Sequence, residues 1–374
     1  MTSDKVITRT IPTENGFHIG RITLNHPKGL NALSLDMVNA IQQCLSLWED
    51  DKNIICVLID AEGEKAFCAG GDIQAMYYAM QKNPGNECVE IETFFEHEYR
   101  MDYCLHTYPK PVIIWGNGIV MGGGLGIFMG GDFRIVTESA RLAMPEITIG
   151  LYPDVGASYF LNQLSKPMGR FLGLTGAVLN ALDCLSLGLA TEYLAHDQKK
   201  PLVTALSQAN WSQTRDDNAH IIRSILTDLH QDGPPECLEN NIEEHMHYIE
   251  TIFAPENIHD VIAHFLQENL SNKWLQKSQN SLKRGSPLSA LLIDKQLTIN
   301  HDATLETAFQ SEMILSTNIV RHTELSEGIR ALLIDKDHTP QWAFADHKAV
   351  PPTFIARFFE SPWPNNPLEN LGRA

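Results

Sequence analysis

The sequence lacks several features that would place it in a common protein class. Its seven cysteines are odd in number and include no CxxC pair, which argues against a disulfide framework or a zinc knuckle and for a reducing compartment. The first ten residues hold no apolar stretch, so we expect no signal peptide and a cytoplasmic location. The longest uncharged segment, residues 111–131, is rich in glycine and contains Asn117. We therefore expect a buried strand, a turn and a buried helix there, not a membrane span.

Positive charge is scarce. Lysine and arginine total 28 against 46 aspartates and glutamates, for a formal net charge of −18, and no run of four basic residues occurs. Such a chain repels polyphosphate backbones, so we expect no nucleic-acid partner. An anionic ligand would need backbone dipoles or a few well-placed lysines. With 374 residues, 43% of them hydrophobic, the chain can bury a core without a disulfide or a metal.

Strand and helix patterns alternate up to about residue 190, which predicts an α/β core. We predict strands at 16–25, 54–59, 112–115, 132–137 and 141–143, and helices at 34–48, 72–80 and 89–105. Beyond residue 180 the pattern is helical almost throughout, with helices at 220–230, 242–253, 260–269, 287–298, 305–318 and 324–333 and an irregular Pro-rich tail at 351–367. This change predicts an α/β region at 1–190 and a mainly helical region at 191–374.

Two glycine-rich turns each follow a buried strand and open a helix. The first contains Gly70, Gly71 and Asp72, and the second runs GGGLG over residues 122–126. In a parallel sheet both turns fall at the same edge, so two backbone N–H groups could converge on one carbonyl oxygen as an oxyanion hole. The alternatives are a tight strand-to-helix turn and close packing of a helix on the sheet. No GK[ST] follows either turn, which excludes a P-loop.

A third segment, MPEITIGLYPD at residues 144–154, holds Glu146 and Asp154 in a mostly apolar loop between two prolines. Burial would raise their pKa values and suit them to acid–base or nucleophilic work. The alternative is an Asp154 that caps a helix at 155–164, beside a solvated Glu146.

These motifs resemble the crotonase (enoyl-CoA hydratase/isomerase) superfamily. The matching segments are NHPKGLNALS, AFCAGGD, the MGGGLG turn and MPEITIGLYPDVG; FFEHEY at 94–99, SPLS at 286–289 and SEGIRALLIDKD at 326–337 resemble its 3-hydroxyisobutyryl-CoA hydrolase branch. The resemblance covers about residues 16–342. It implies a spiral of repeated ββα units followed by a helical C-terminal region that completes an acyl-CoA site.

The resemblance also implies which residues act on the substrate. The oxyanion hole falls on the N–H groups of Gly71 and Gly123, and Glu146 matches a catalytic glutamate of the hydratases. The second hydratase glutamate would fall at Gly126, which has no side chain. Where hydratases usually have glycine, this chain has Asp154, as the hydrolase branch does.

In the same branch Glu98 is similar to a residue that contacts the substrate, and Lys28 is a candidate contact for the nucleotide end of coenzyme A. A glutamate on a solvated helix face and an exposed lysine in a turn are the alternatives.

The expected reaction is hydrolysis of a short branched 3-hydroxyacyl-CoA thioester, 3-hydroxyisobutyryl-CoA first, in valine breakdown. Glu146 would attack the carbonyl or activate water, and Asp154 would bind the substrate hydroxyl or handle the proton. We expect no metal and no redox cofactor, and coenzyme A enters as part of the substrate. A homo-oligomer is possible. The alternatives are an enoyl-CoA hydratase or isomerase with Glu146 as sole acid–base group, and an inert acyl-CoA-binding scaffold.

Overall fold

The computed structural model describes residues 3–230 and 233–372. Within them it has nine β-strands: β1 Val6–Pro12, β2 His18–Leu24, β3 Ile54–Ala61, β4 Ala66–Cys68, β5 Val112–Gly116, β6 Ile119–Met121, β7 Phe133–Val136, β8 Arg141–Ala143 and β9 Glu192–Tyr193. It has sixteen α-helices: α1 Leu35–Glu49, α2 Ile73–Met80, α3 Val89–His106, α4 Gly123–Met129, α5 Ala157–Phe160, α6 Lys166–Thr175, α7 Ala181–Ser186, α8 Lys199–Gln208, α9 Arg215–Leu229, α10 Asn241–Ile252, α11 Ile258–Gln267, α12 Lys273–Arg284, α13 Pro287–Ile299, α14 Leu305–Val320, α15 Thr323–Ile329 and α16 Pro352–Arg357. A π-helical turn, Arg330–Ile334, follows α15.

The strands form a repeated ββα pattern. Among the described residues, one sheet has the order β1-β2-β3-β5-β7-β9 and a second has the order β4-β6-β8. The pairs β3–β4, β5–β6 and β7–β8 each give their first strand to the larger sheet and their second to the smaller one. Helices follow each pair along the chain, so the predicted α/β spiral of ββα units is confirmed.

The chain divides into two compact units. The first contains the chain up to Gly71 with Met101–Leu142 and Leu179–Glu243, and the second contains Asp72–Arg100, Ala143–Val178 and the chain from Glu244. The predicted division into 1–190 and 191–374 follows the change from strands to helices along the sequence. As a statement about domains it stays a prediction.

The first unit is built around the larger sheet. All eight residues of β3 are buried, as expected for a parallel strand covered on both faces. Leu202 and Leu206 of α8 and Ile222 and Leu226 of α9 belong to the same hydrophobic cluster as strand residues such as Trp115. The smaller sheet pairs β4 and β6 in parallel, so the carboxyl ends of both strands lie at the same edge, as the sequence predicts.

The second unit is mainly helical. Phe171 of α6 packs edge-on against Phe253 and Phe265, with ring centroids 5.2 and 6.2 Å away, and Trp274 of α12 lies 5.4 Å from it. Within this unit Asp72 caps α2 as predicted, because its Oδ1 accepts from the N–H of Ala75 at 3.1 Å. No helix among the described residues combines the length and apolar character needed to cross a membrane.

Two sequence predictions of secondary structure are wrong. The helix expected at 155–164 reduces to α5 and a 3₁₀ turn, Leu161–Gln163, because Val155 and Gly156 have left-handed backbone angles (φ +52° and +84°). The tail expected to be irregular contains α16, whose first residue is a proline; proline is well tolerated there because the first N–H of a helix has no helical partner.

Candidate active site

The two glycine-rich turns of the first unit touch each other. Gly70 has φ +101°, and a Cβ added to it would lie 3.2 Å from the carbonyl oxygen of Met121 and 3.5 Å from the nitrogen of Gly123. A side chain at position 70 would therefore press on the start of α4. Glycine is needed there both for its backbone angle and for this close approach.

The backbone donors predicted for the oxyanion hole are available in these turns. Gly71 forms an isolated parallel β-bridge with Leu33. The N–H of Leu33 donates to the carbonyl oxygen of Gly70 at 2.8 Å. Gly123 is the first residue of α4, so its N–H has no helical partner. Within the described part of the chain no hydrogen bond is recorded from the N–H of Gly71 or of Gly123. Both groups are free to donate to a ligand oxygen.

Glu146 lies in the second unit and opens a 3₁₀ turn, Glu146–Ile149, directly after Pro145. Its side chain is 5% exposed, so the solvated alternative is wrong. Its Oε2 has no hydrogen-bond partner among the described residues. Burial, and then the negative charge of Asp154, raise the pKa of Glu146 well above its ordinary value. An orphaned buried carboxylate oxygen is costly for folding and is typical of a catalytic group.

Asp154 lies eight residues after Glu146 in the sequence and is also buried, at 4% exposure. The next residue, Val155, is β-branched and has φ +52°, a strained backbone angle for such a residue. The Asp154 side chain does not cap a helix, so that alternative is wrong as well. Its Oδ2 accepts a hydrogen bond from the Tyr99 hydroxyl of α3 at 2.6 Å.

The carboxyl groups of Glu146 and Asp154 differ in the hydrogen bonds that they accept. Burial raises the pKa of Asp154 to about 6, and the hydrogen bond from Tyr99 opposes that rise. Within residues 3–230 and 233–372, Glu146 has no such donor at Oε2. Because the two groups interact, they titrate as a pair, and Asp154 is the member that ionises more readily. Glu146 and Asp154 are therefore two buried carboxyl groups that interact, and their catalytic role stays a prediction.

A third buried carboxylate, Glu312 of α14, holds the turn after Asp154. Its Oε2 accepts from the N–H of Gly156 at 2.7 Å, and its Oε1 accepts from the N–H and the hydroxyl of Ser158 at 2.9 and 2.6 Å. Burial raises the pKa of Glu312 to about 8, against the effect of these hydrogen bonds. The strained backbone at Val155 is therefore fixed from outside the loop.

The remaining predicted residues are placed as follows. Glu98 precedes Tyr99 on α3 and is 2% exposed, so it is not a solvated surface glutamate. Lys28 is exposed in a 3₁₀ turn, Pro27–Gly29. Gly126 is buried within α4. The contacts of Glu98 and Lys28 with a substrate stay predictions.

A cleft in the second unit adjoins the turn that carries Glu146. It has a volume of about 430 Å³, and its lining includes Thr148 from that turn and the basic side chains Lys277, Arg284 and His338. Lys277 and Arg284 are exposed on α12. In a chain with a net charge of −18 such a local basic group suits an anionic ligand.

Sequence reasoning missed Tyr99, Tyr152, Glu312 and Ser316. A signal for two of them was present, because Phe309, Glu312, Met313 and Ser316 share one face of the predicted helix at 305–318. A glutamate on an apolar helix face is costly unless it is hydrogen-bonded, and it therefore marks a polar network.

Comparison with known proteins agrees with this architecture. A family model described as enoyl-CoA hydratase/isomerase matches residues 19–359. The chain belongs to this family. The mitochondrial 3-hydroxyisobutyryl-CoA hydrolases of Gallus gallus and Homo sapiens are each 35% identical to it, over 94% and 91% of this chain and 88% and 86% of theirs.

Two solved structures are similar over nearly the whole chain. An enoyl-CoA hydratase from Rhodobacter sphaeroides 2.4.1 has a TM-score of 0.82 at 29% identity and covers 96% of this chain and 98% of its own. A carnitinyl-CoA dehydratase from Mycobacterium thermoresistibile has a TM-score of 0.85 at 27% identity and covers 98% and 99%. The crotonase fold predicted from the sequence is confirmed.

Proposed function

We propose that the protein hydrolyses the thioester of 3-hydroxyisobutyryl-CoA and releases the free acid and coenzyme A. The observation that carries the proposal is the buried pair of Glu146 and Asp154, in which Glu146 Oε2 has no hydrogen-bond partner in the part of the chain that the structure describes. The curated relatives named as 3-hydroxyisobutyryl-CoA hydrolases support the same reaction. The activity would belong to valine breakdown.

The proposed chemistry begins at the thioester carbonyl. The N–H groups of Gly71 and Gly123 would donate to its oxygen, and each such donor can contribute about 3–4 kcal/mol to a transition state. In one route the Glu146 carboxylate attacks the carbonyl carbon, the carbon–sulfur bond breaks, and the thiolate of coenzyme A leaves and takes up a proton. Water then hydrolyses the mixed anhydride.

In the other route Glu146 accepts a proton from a water molecule that attacks the same carbon, and no covalent intermediate forms. Both routes need Glu146 ionised, so turnover should rise with pH through the raised pKa of the pair. Asp154 would bind the 3-hydroxyl group of the substrate or carry the proton. Water labelled with ¹⁸O tests the covalent route in a single turnover: label on Glu146 shows that water attacked the Glu146 carboxyl carbon of the anhydride, a step that the direct route lacks.

A second candidate is hydration or isomerisation of an enoyl-CoA. The two solved structures named as a hydratase and a dehydratase favour it. The residues at positions 126 and 154 oppose it: Gly126 provides no second carboxylate and Asp154 adds one that hydratases usually lack. An inert scaffold would have no reason to retain two buried carboxylates with raised pKa values.

The test combines two readouts on the parent protein and on Asp154→Gly. The parent should release thiol from 3-hydroxyisobutyryl-CoA, and Asp154→Gly should bind the substrate but release little thiol. With an enoyl-CoA substrate, neither the parent nor Asp154→Gly should change the absorbance, because position 126 lacks a glutamate in both proteins. Thiol release by the variant at the parent rate would show that Asp154 does not specify hydrolysis. Enoyl-CoA turnover by the parent without thiol release would favour the hydratase.

Two further expectations remain proposals. The curated relatives carry the word mitochondrial in their names, whereas the sequence predicts a cytoplasmic location for this chain. Localisation of a tagged protein in its own cell decides between them. The reaction as proposed uses no metal or redox cofactor, and activity that survives a chelator would support that.

A further inference from the structure

A chain of three buried hydroxyl groups ends on the carboxylate of Asp154. The Tyr99 hydroxyl lies 2.6 Å from Asp154 Oδ2 and 2.5 Å from Ser316 Oγ. Ser316 Oγ lies 2.8 Å from the Tyr152 hydroxyl, which lies 2.7 Å from the main-chain carbonyl oxygen of Glu312. Tyr99, Tyr152 and Ser316 are fully buried. The three hydroxyls come from α3, the Asp154 loop and α14.

Each hydroxyl has one proton to donate, and this fixes the direction of the hydrogen bonds nearest the Asp154 carboxylate. An ionised Asp154 can only accept, so the Tyr99 proton lies on the bond to Asp154. Tyr99 must then accept from Ser316, and Ser316 can accept from Tyr152. Tyr152 donates its proton to the main-chain carbonyl of Glu312 at 2.7 Å, and donation to Ser316 Oγ at 2.8 Å is the alternative for the same proton. The donors nearest the carboxylate therefore all point towards it, and hydrogen bonds aligned in this way strengthen one another.

The titratable groups that interact with Asp154 in the described part of the chain carry no positive charge. They are Glu146 on the 3₁₀ turn, Glu312 on α14, Tyr99 on α3 and Tyr152 in the same loop. All four are acids. Burial and their acidic neighbours raise the pKa values of Tyr99 and Tyr152 well above the ordinary value, so both keep their protons and act as donors.

We propose that Tyr99 and Ser316 are positioning residues that keep Asp154 ionised and hold its carboxylate in one orientation, with Tyr152 completing the chain. Tyr99 acts directly on Asp154, and Ser316 acts through Tyr99. The importance of this chain for turnover rests on the proposed function, but its effect on the ionisation of Asp154 does not. The two are therefore tested separately.

The test titrates Asp154 directly and follows thiol release as a function of pH. The carboxyl ¹³C signal of Asp154 is identified in protein labelled at aspartate as the signal missing from Asp154→Asn. Tyr99→Phe removes one hydroxyl and keeps the ring. It should raise the midpoint of the Asp154 titration by about one pH unit or more, as expected when a hydrogen bond to a charged group is lost. The acid limb of kcat/KM should move upward with it.

Ser316→Ala should shift both midpoints in the same direction by a smaller amount. The matched control is Ser311→Ala on the same helix. The Ser311 hydroxyl contacts Gln296 Oε1 at 3.4 Å and does not belong to the hydrogen-bonded chain of hydroxyls. This control should leave the Asp154 midpoint unchanged. Ser316→Ala alone decides the matter if Tyr99→Phe does not fold.

Unchanged Asp154 midpoints in folded Tyr99→Phe and Ser316→Ala, with only a loss of thermal stability, would overturn the inference and leave the chain a purely structural feature. A parent protein that releases no thiol would overturn the proposed function instead. The ¹³C titration would still decide the role of the hydroxyl chain in that case.

Discussion

Replacing Asp154 with asparagine should make the protein more stable and less active. Burial raises the pKa of Asp154 from 3.8 to about 6, so the folded state disfavours the ionised carboxylate that the unfolded chain tolerates. Each pH unit of that difference corresponds to about 1.4 kcal/mol, so the ionised group costs the fold about 3 kcal/mol at pH 8. Asparagine has nearly the same shape, can still accept from the Tyr99 hydroxyl and carries no charge.

The sign of the pH dependence follows from the raised pKa. The favourable contribution of a protonated Asp154 is fully present below about pH 4 and is lost as the pH rises through about 6. The advantage of Asp154→Asn should therefore be below about 1 kcal/mol near pH 4 and approach about 3 kcal/mol near pH 8.

Urea unfolding of the parent and the variant at both pH values measures this difference, and thiol release measures the loss of activity. Asp302→Asn is the matched control, because Asp302 is exposed and its replacement should change stability little at either pH. An Asp154→Asn protein that is less stable than the parent at pH 8, or whose advantage does not grow with pH, would refute the argument from burial.

Three further predictions concern the substrate. Glu146→Gln should bind acyl-CoA normally and lose at least about a hundredfold in kcat, because the base or nucleophile is replaced by a near-isostere; near-normal kcat would remove Glu146 from the mechanism. Gly123→Pro should lose about 10²–10³ in kcat, because proline lacks the N–H at the first position of α4 but fits a helix start; full activity in a folded variant would refute the assigned donor. Reversing the charges of Lys277 and Arg284 together should raise KM for the CoA thioester about tenfold at low salt without changing kcat. The pantetheine thioester, which lacks the nucleotide phosphates, should be unaffected, and equal changes for both substrates would exclude the cleft as the phosphate site.

Much of the fold follows from local patterns in the sequence. The run at residues 54–59 predicts a buried strand, and β3 occupies Ile54–Ala61. The apolar spacing at 305–318 predicts a helix, and α14 occupies Leu305–Val320. Such elements are predictable because a buried strand and an amphipathic helix each require a fixed spacing of apolar residues.

The site is less predictable because it breaks local rules. Val155 adopts a left-handed angle that a β-branched residue disfavours, and the hydrogen bonds that hold it there come from Glu312, more than 150 residues further along the chain. The contact between Tyr99 and Asp154 also joins residues that are far apart in sequence, by 55 positions. Glu146 and Asp154 could be selected from their motif, but their burial, their electrostatic interaction and the hydrogen bond that holds Asp154 depend on tertiary contacts that no local pattern reveals.

The proposal that this chain cleaves a thioester is tested most directly by following free thiol and enoyl absorbance together with purified protein. With 3-hydroxyisobutyryl-CoA, the account predicts stoichiometric release of coenzyme A by the parent and a loss of at least about a hundredfold in Glu146→Gln. With an enoyl-CoA, it predicts no change in absorbance. Rapid hydration of the enoyl-CoA with no release of coenzyme A from the 3-hydroxyacyl thioester would contradict it.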